Sequence, residues 1–465
     1  MPVFDPDDLA AWCGGTWTSR PRAPLRRIWQ DSRSACPGDL YVALRGPRFD
    51  GHAFLAQAFT TGASAALVAR TSAVPQQDSG PLLLCDDPEN ALTAIAIGHR
   101  ERYACGRVGV TGSVGKTSVK NLSAAALSAL GPTARTLGNW NNKIGLPLSL
   151  LTLEPDHRFG VFEVGMNHPG ELRPLCALLS PRWAVITRIG PVHIEFFESE
   201  EAIAREKATL LEALPRDGFA VLATDEPWFE LLRERAPCRI VTVAQSGRAD
   251  YLARPDPSGI RIRERDGTEF LYPASLPGAP GRANTARAVA LARELGASPD
   301  AVAAALTAAP LDSMRWQRSV EAGVIWINDA YNANPTSVDA ALTMFAESET
   351  APRKWLVLGG MGELGAHSDE AHRQLGHRIA EGDWAGLIAC GDAAQRLATG
   401  AAEAGMDPGR ILCARDTGTA ADLLAEHLRE GDAVLLKGSR SERIETVFQL
   451  WKTKAAGAPA RKDLR

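Results

Sequence analysis

Short, nearly continuous apolar runs punctuate the chain, each followed by polar or helix-patterned sequence. In the first hundred residues they fall at 40–44, 65–68 and 81–84, with a loop at 72–80. A second series occupies 108–110, 160–164, 183–189 and 219–223, and a third, starting near Leu311, occupies 324–327, 355–358, 386–389 and 433–436. Buried strands joined by helical crossovers predict parallel sheets covered on both faces, an α/β fold. At 465 residues the chain is too long for one core, and the series divide it into three domains at 1–104, 105–310 and 311–465. The tail at 455–465, rich in Ala, Lys and Arg, is expected to fray.

Charge and composition narrow the function. Against 55 acidic residues stand 51 Lys and Arg, a net charge of -4, so no basic excess is present for a nucleic-acid backbone. The 8 cysteines are scattered singly with no Cys-x-x-Cys pair, which reads as buried reduced thiols rather than zinc or redox chemistry. Asp5, Asp7 and Asp8 sit where an export signal needs positive charge, and no run approaches the roughly 20 apolar residues of a membrane span. The expectation is a cytoplasmic monomer without membrane insertion.

The sharpest chemical signal is Thr111-Gly112-Ser113-Val114-Gly115-Lys116-Thr117, placed between an apolar strand and a helical run that starts at Ser118. Glycines let backbone N–H groups turn inward, and the helix N-terminus adds positive potential. Lys116 reaches terminal phosphates, and Thr117 holds a magnesium ion. The pattern is the shorter T-G-x-x-G-K-T form, since Val110 stands where the usual loop begins with glycine. The chain therefore reads first as a user of a nucleoside triphosphate.

Other candidates cluster at strand ends, where open α/β sheets place ligands. Glu163 closes one strand with an oxygen suited to magnesium, and His193 follows the next in Gly190-Pro191-Val192-His193. Lys207 lies on the apolar face of a helix at 201–214, beside Ile203 and Leu210. A lysine there either snorkels outward or is held in the site, paired with metal or phosphate or chemically modified. Asn141 and Asn142 belong to an amide-rich loop at 138–145. Asp329, Asn332 and Asn334 follow the 324–327 strand, Asp329 being placed for a ribose hydroxyl or a cation. Lys437, Ser439 and Arg440 offer two cations and a hydroxyl for carboxylate or phosphate recognition.

In this order the motifs resemble the Mur ligase family of peptidoglycan synthesis, from Asp31-Ser32-Arg33 through the phosphate loop, Asn141-Asn142, Glu163, His193, Lys207, Asn284 and Asp329 to Lys437-Gly438-Ser439-Arg440. Residues 329–335, Gly360-Met361-Gly362-Glu363-Leu364-Gly365 and 437–441 look like the branch that adds D-alanyl-D-alanine. The resemblance implies a small N-terminal α/β domain that binds the UDP end of the substrate through Ser32, Arg33, Gly46, Asp50, Gly51 and His52. It implies a central ATPase built on a P-loop-type parallel sheet, and a C-terminal Rossmann-like domain that binds the incoming dipeptide and closes the nucleotide site. ATP would contact residues 111–118, from Thr111 to Ser118, together with Asn284, Arg315 and Asp329. Thr117, Glu163 and His193 would be associated with magnesium. Lys116, Lys207 and His193 would serve catalysis, Lys207 as a carbamate. Asn141, Asn142, Asn332, Asn334, Lys437, Ser439 and Arg440 would meet the substrates. The implied activity is ATP-dependent ligation of D-alanyl-D-alanine to UDP-N-acetylmuramoyl-tripeptide through an acyl phosphate. A sister branch adding one amino acid, a folylpolyglutamate synthetase and a nucleotide-gated binding protein are the rivals. Two departures stand out: Ala283-Asn284-Thr285-Ala286-Arg287 replaces the family's His-Asn-x-x-Asn, and Arg188 stands where an asparagine is common.

Overall fold

The computed structural model describes residues 2–72, 80–309 and 313–457, with side chains as far as 454. Most of the expected loop at 72–80, the boundary at 310/311 and most of the tail at 455–465 lie outside these residues. Among the described residues, the strands form three sheets of five, nine and six strands.

The first sheet runs in the order Thr16–Trp17, Leu82–Cys85, Ala65–Ala69, Asp39–Val42, Arg27–Trp29, parallel except for its first strand. In the nine-stranded sheet, Gly106–Thr111 lies between Trp183–Ile186 and Phe159–Glu163. The chain leaves Gly106–Thr111 through the Lys116–Ser128 helix to the far edge, Thr133–Arg135, and returns by Phe159–Glu163 before crossing to the other side. The centre of this sheet is therefore a topological switch point, and its carboxyl edge opens a crevice. The six-stranded sheet pairs Ala433–Lys437 in parallel with Val324–Asn328 and Lys354–Gly359.

The all-parallel expectation needs correction at the edges. Tyr251–Asp256, Gly259–Arg263 and Glu269–Tyr272 form an antiparallel meander on the central sheet, and Gln317–Glu321 pairs antiparallel with Val324–Asn328. The thiols also divide differently: Cys85, Cys105, Cys176 and Cys390 are buried, but Cys36 and Cys413 are exposed and Cys13 and Cys238 half-buried; all are free.

Packing distinguishes the three parts. Leu40, Leu67 and Leu83 of the first sheet share one continuous core with Leu92 and Ile95 of the Pro88–Glu101 helix, and with Leu146, Phe162, Ile186 and Leu210 around the central sheet. The opposite central face packs under the Lys116–Ser128 and Gly278–Glu294 helices through Val119, Leu122, Val289 and Leu291. The last sheet has its own cores, one around Phe345, Leu356 and Leu387 and one around Trp326, Val357 and Leu436.

Gly109, inside Gly106–Thr111, sets how closely the Glu200–Glu212 helix can approach the sheet. A Cβ there would stand 2.6 Å from Leu210 Cδ1 and 3.3 Å from Leu179 Cδ2. Because Leu210 and Leu179 are fully buried, they have little room to yield. Gly109→Val is expected to cost about 1–3 kcal/mol by overpacking, read as a lower denaturant midpoint. It should also slow turnover, because the displaced helix carries Lys207.

Candidate active site

Register brings the strand ends together. Val110 pairs with Glu163 on one side and with Val185 on the other, so the segments after Thr111, Glu163 and Ile186 emerge at one edge. A cavity of about 800 Å³ lies over this edge. Its floor is the phosphate loop and Glu163, its far wall includes Arg315, Asp329 and Lys437, and its outer end is marked by Gln30, Thr93 and Trp140.

The phosphate loop is held from behind. Gly112 and Gly115 take φ of 148° and 87°, conformations that favour glycine, and a Cβ on Gly112 would fall 1.9 Å from Thr187 Oγ1. The Ser113 and Val114 N–H groups donate to Arg188 O at 2.7 and 3.2 Å. Ser113 Oγ donates to Gly190 O at 2.9 Å and accepts from Gly190 N at 3.0 Å. Both residues line the cavity, yet these groups tie the loop to the next strand's turn. Thr111 is likewise spoken for, its Oγ1 donating to Val164 O at 2.7 Å. Helix geometry leaves the amides of Lys116, Thr117 and Ser118 as orphan donors of the first turn. Lys116 Nζ bends over the loop, donating to Gly112 O at 2.8 Å and Ser113 O at 3.2 Å. Burial lowers its pKa, with Arg315 adding to the effect and Glu163 opposing it.

Next to the loop, Thr117 Oγ1 donates to Glu163 Oε2 at 2.8 Å and Asn141 Nδ2 donates to Glu163 Oε1 at 2.7 Å. Three separated motifs thus meet on one carboxylate that is only 2 % exposed. Asn142 turns the other way, its Oδ1 capping the Ile144 and Gly145 amides at 3.2 and 2.9 Å. Asn284 reaches the loop from the Gly278–Glu294 helix: a Cβ on Gly115 would meet its Oδ1 at 3.1 Å.

Lys207 does not snorkel. It is 2 % exposed, and among the described residues its amine has no hydrogen-bond partner. Burial holds its pKa well below the usual lysine range, the nearby charge of Lys116 pushes it lower still, and Glu206 opposes.

The C-terminal part supplies the opposing wall. Lys437 Nζ donates to Asp329 Oδ2 at 2.6 Å and to Asn332 O at 3.1 Å, while Asp329 Oδ1 accepts from Trp316 N at 3.1 Å. Arg315 lies over the Tyr331 ring at 4.0 Å. Asn334 caps the Pro335–Ser348 helix through Ser337 N at 2.9 Å, and Asn332 Oδ1 accepts from Ala333 N at 2.9 Å. Ser439 Oγ accepts from Gly362 N at 2.7 Å, and Arg440 pairs with Glu445 at 2.6 Å; neither Ser439 nor Arg440 lines the cavity. His193, which does line it, brings Nδ1 to 2.5 Å from Glu363 Oε2, a charge contact without hydrogen-bond alignment.

The N-terminal candidates form a separate group outside the cavity lining. Ser32 Oγ donates to Gln57 Oε1 at 2.8 Å, and Arg33 is exposed against Asp31 at 2.7 Å. Gly46 N donates to Phe49 O at 2.8 Å. Asp50 accepts from His52 N at 3.0 Å, and His52 Nε2 accepts from Ala69 N at 2.9 Å. Gly51 has no room for a side chain, with Leu44 O at 2.7 Å from its Cβ position.

The Mur ligase middle domain matches residues 110–292, and the Mur ligase glutamate ligase domain matches residues 314–440. The UDP-N-acetylmuramoyl-tripeptide–D-alanyl-D-alanine ligase of Bacillus subtilis is 31% identical over 431 residues, spanning 91% of this chain and 93% of its own. Among solved structures, MurF from Acinetobacter baumannii is similar at a TM-score of 0.85 and 28% identity, covering 97% of this chain and 99% of its own. MurF ligase from Thermotoga maritima, in complex with ADP, has a TM-score of 0.77 at 27% identity, covering 93% and 98%.

Both departures noted in the sequence lead to one acid that sequence reasoning missed. Arg287 is 4 % exposed, donates from Nε to Ile186 O at 3.2 Å and is influenced by Asp225 and Glu226. Arg188 donates to Asp225 O at 3.1 Å and lies 3.7 Å from Glu226 Oε2. Glu226 accepts the Ile189 N–H at 3.2 Å, while its Oε1 is buried without a partner. This cluster braces the 188–190 turn that holds the phosphate loop. Burial pushes the Glu226 carboxyl up to about 7, against the pull of Arg188 and the Ile189 N–H. Between the ordinary value of 4.5 and about 7 the folded protein keeps a proton that the unfolded chain has released, so stability falls as pH rises through that window. Wild type is expected to lose no more than about 3 kcal/mol across it. Glu226→Gln should flatten the loss, as read from denaturant midpoints at about pH 5 and about pH 8.

Proposed function

Because the chain belongs to the Mur ligase family, we infer that it joins D-alanyl-D-alanine to UDP-N-acetylmuramoyl-tripeptide, driven by ATP, as an enzyme of peptidoglycan synthesis. The observation that carries the reading is the likeness, over 91% and 97% of the chain, to UDP-N-acetylmuramoyl-tripeptide–D-alanyl-D-alanine ligase and to MurF. It is supported by a cavity that places a phosphate loop against side chains from the C-terminal sheet's strand ends.

The chemistry follows from the groups present. A carboxylate does not react with an amine at neutral pH because its oxygen is a poor leaving group. In the proposed first step, the tripeptide's terminal carboxylate oxygen attacks the γ-phosphorus of ATP, the bond to the bridging oxygen breaks and ADP leaves. In the second, the dipeptide's free amine attacks the acyl carbon, inorganic phosphate departs and the nitrogen gives up a proton. Lys116, the first-turn amides of the Lys116–Ser128 helix and Arg315 offset negative charge gathering on the transferred group. Holding three substrates in line contributes about 7–11 kcal/mol.

Magnesium fits the donor set. Among the described residues no three His, Cys, Asp or Glu side chains converge on a metal position, so the protein offers no all-protein cage. Thr117 Oγ1 and Glu163 supply adjacent hard oxygens, the kind of partial shell magnesium completes with phosphate oxygens and water. The ion, when bound, neutralises phosphate charge; Asn141 keeps Glu163 oriented toward it, and His193 is assigned to the same neighbourhood.

For Lys207 we assign a carbamate. An amine kept neutral by burial attacks carbon dioxide at its carbon, forming an N-carboxylate and releasing one proton. The product places a negative charge beside Lys116 where the neutral amine offered none. Residues 1–104 are assigned to the UDP end, 105–310 to ATP, and 311–465 to the dipeptide and to completion of the nucleotide site. No described helix is long and apolar enough to cross a membrane. Two of the proposed substrates, ATP and the UDP-linked tripeptide, are phosphorylated small molecules, and we place the enzyme in the cytoplasm as a monomer.

With ATP, UDP-N-acetylmuramoyl-tripeptide and D-alanyl-D-alanine, the purified protein should release phosphate and form the pentapeptide product. Lys116→Ala should lower kcat by at least about 100-fold, the equivalent of roughly 3 kcal/mol of lost phosphoryl stabilisation, with an unchanged melting curve. Phosphate release with a single amino acid in place of the dipeptide would assign a sister branch. Native mass spectrometry should show Lys207 heavier by one carbon dioxide.

A further inference from the structure

The passage Gly360-Met361-Gly362-Glu363-Leu364-Gly365 contributes no residue to the cavity lining. It leaves the carboxyl end of Lys354–Gly359, and its backbone is pinned from behind: Ser439 N donates to Gly360 O at 3.0 Å, Met361 N donates to His372 Nε2 at 2.9 Å, and Gly362 N donates to Ser439 Oγ at 2.7 Å. Those bonds aim the next residue, Glu363, out of its own sheet and at the central one.

What it meets there is His193. Both residues adopt left-handed backbone, φ of 59° for Glu363 and 61° for His193, although neither is glycine. Such conformations are strained for residues with a side chain, and they persist where the surroundings impose them. Two of them face each other across the junction, with Oε2 2.5 Å from Nδ1. Gly365, at φ 52°, permits the approach: a Cβ there would stand 2.7 Å from Glu195 Cβ. The contact occupies Nδ1, so the imidazole's remaining nitrogen, Nε2, is the one left for work, and His193 lines the cavity.

We propose that Glu363 is a positioning residue for the ligase reaction: delivered by the C-terminal part, its carboxylate fixes the His193 ring, so that the site is complete only while the two parts are in contact. A carboxylate against a working histidine restricts ring orientation, and losing such a partner typically lowers function 10- to 100-fold. The proposal rests on the ligase reading above. It assigns Ser439 and His372 a place one step further back, as groups that aim Glu363.

The test compares Glu363→Ala, Glu363→Gln, His193→Ala and the double variant His193→Ala/Glu363→Ala in the full-length protein. Glu363→Ala should lower kcat roughly 10- to 100-fold while the KM for the UDP-linked substrate stays within about twofold. The double variant should be no slower than His193→Ala alone, because a group acting through the imidazole has nothing to position once the ring is gone. A second readout needs no turnover: with ADP and UDP-N-acetylmuramoyl-tripeptide bound, small-angle scattering should show wild type contracting further than Glu363→Ala. If Glu363→Ala does not fold, Glu363→Gln carries the same comparisons, since it keeps the side chain's shape. Near-wild-type kcat in the folded Glu363 variants, losses that multiply in the double variant, or identical contraction would each overturn the proposal and leave the ligase reading intact. Absence of amide product from wild type would overturn that reading and this proposal with it.

Discussion

Everything in the site follows from the register of three adjacent parallel strands. Because Val110 faces Glu163 across one ladder and Val185 across the other, the chain leaves all three strands at nearly the same height. The phosphate loop, the Glu163 carboxylate and the turn leading to His193 are thereby neighbours without any long-range search. A slip of one residue in the first ladder would turn Glu163 to the opposite face, and one in the second would shift the turn that leads to His193. The fully buried strand residues Val108, Val110, Val161 and Val185 make such a slip costly, since it would exchange the contents of both cores.

Polar groups then do two kinds of work that are easy to confuse. Some present donors and acceptors to the cavity: the first-turn amides of the Lys116–Ser128 helix, Glu163, Asn284 and Arg315. Others spend their hydrogen bonds inside the scaffold. Ser113 fastens the loop to Gly190, Asn142 holds the Ile144 and Gly145 amides, and Lys437 locks Asp329. The locked pairs keep the presented groups where they are, so a loss at either kind of position reaches the same chemistry by different routes.

How much of this was legible beforehand depended on the distance over which the cause acts. Apolar runs marked most of the parallel strands to within a few residues, because a strand buried on both faces has little choice of composition, but Arg27–Trp29, Thr133–Arg135, Arg239–Ala244 and Ile411–Ala414 went unmarked. Glycines and the Gly-Lys-Thr triplet marked the loop, and the apolar neighbours of Lys207 marked a lysine out of place, as its burial bears out. The meander at Tyr251–Tyr272 escaped notice: Gly259–Arg263 alternates buried Ile260 and Ile262 with arginines, a one-sided pattern that does not read as a continuous run. The Arg188–Glu226–Arg287 cluster escaped because its members lie far apart along the chain, and only the folded sheet makes them neighbours. Glu363 was visible as part of a motif, but its partner belongs to another sheet, and no local pattern announces that.

The common interior beneath the first two sheets carries a consequence of its own. A piece of chain that buries its leucines against a neighbour's leucines is coupled to that neighbour, even though the other face of its sheet closes a core of its own around Tyr41, Leu55 and Val68. The last sheet's cores take little from the central part beyond Leu276, so its coupling to the rest is weaker. Removing the leading segment would uncover the apolar face of the Gly145–Leu150 helix that packs on Pro88–Glu101, so a shortened chain would be an aggregation-prone remnant rather than a bare ATPase.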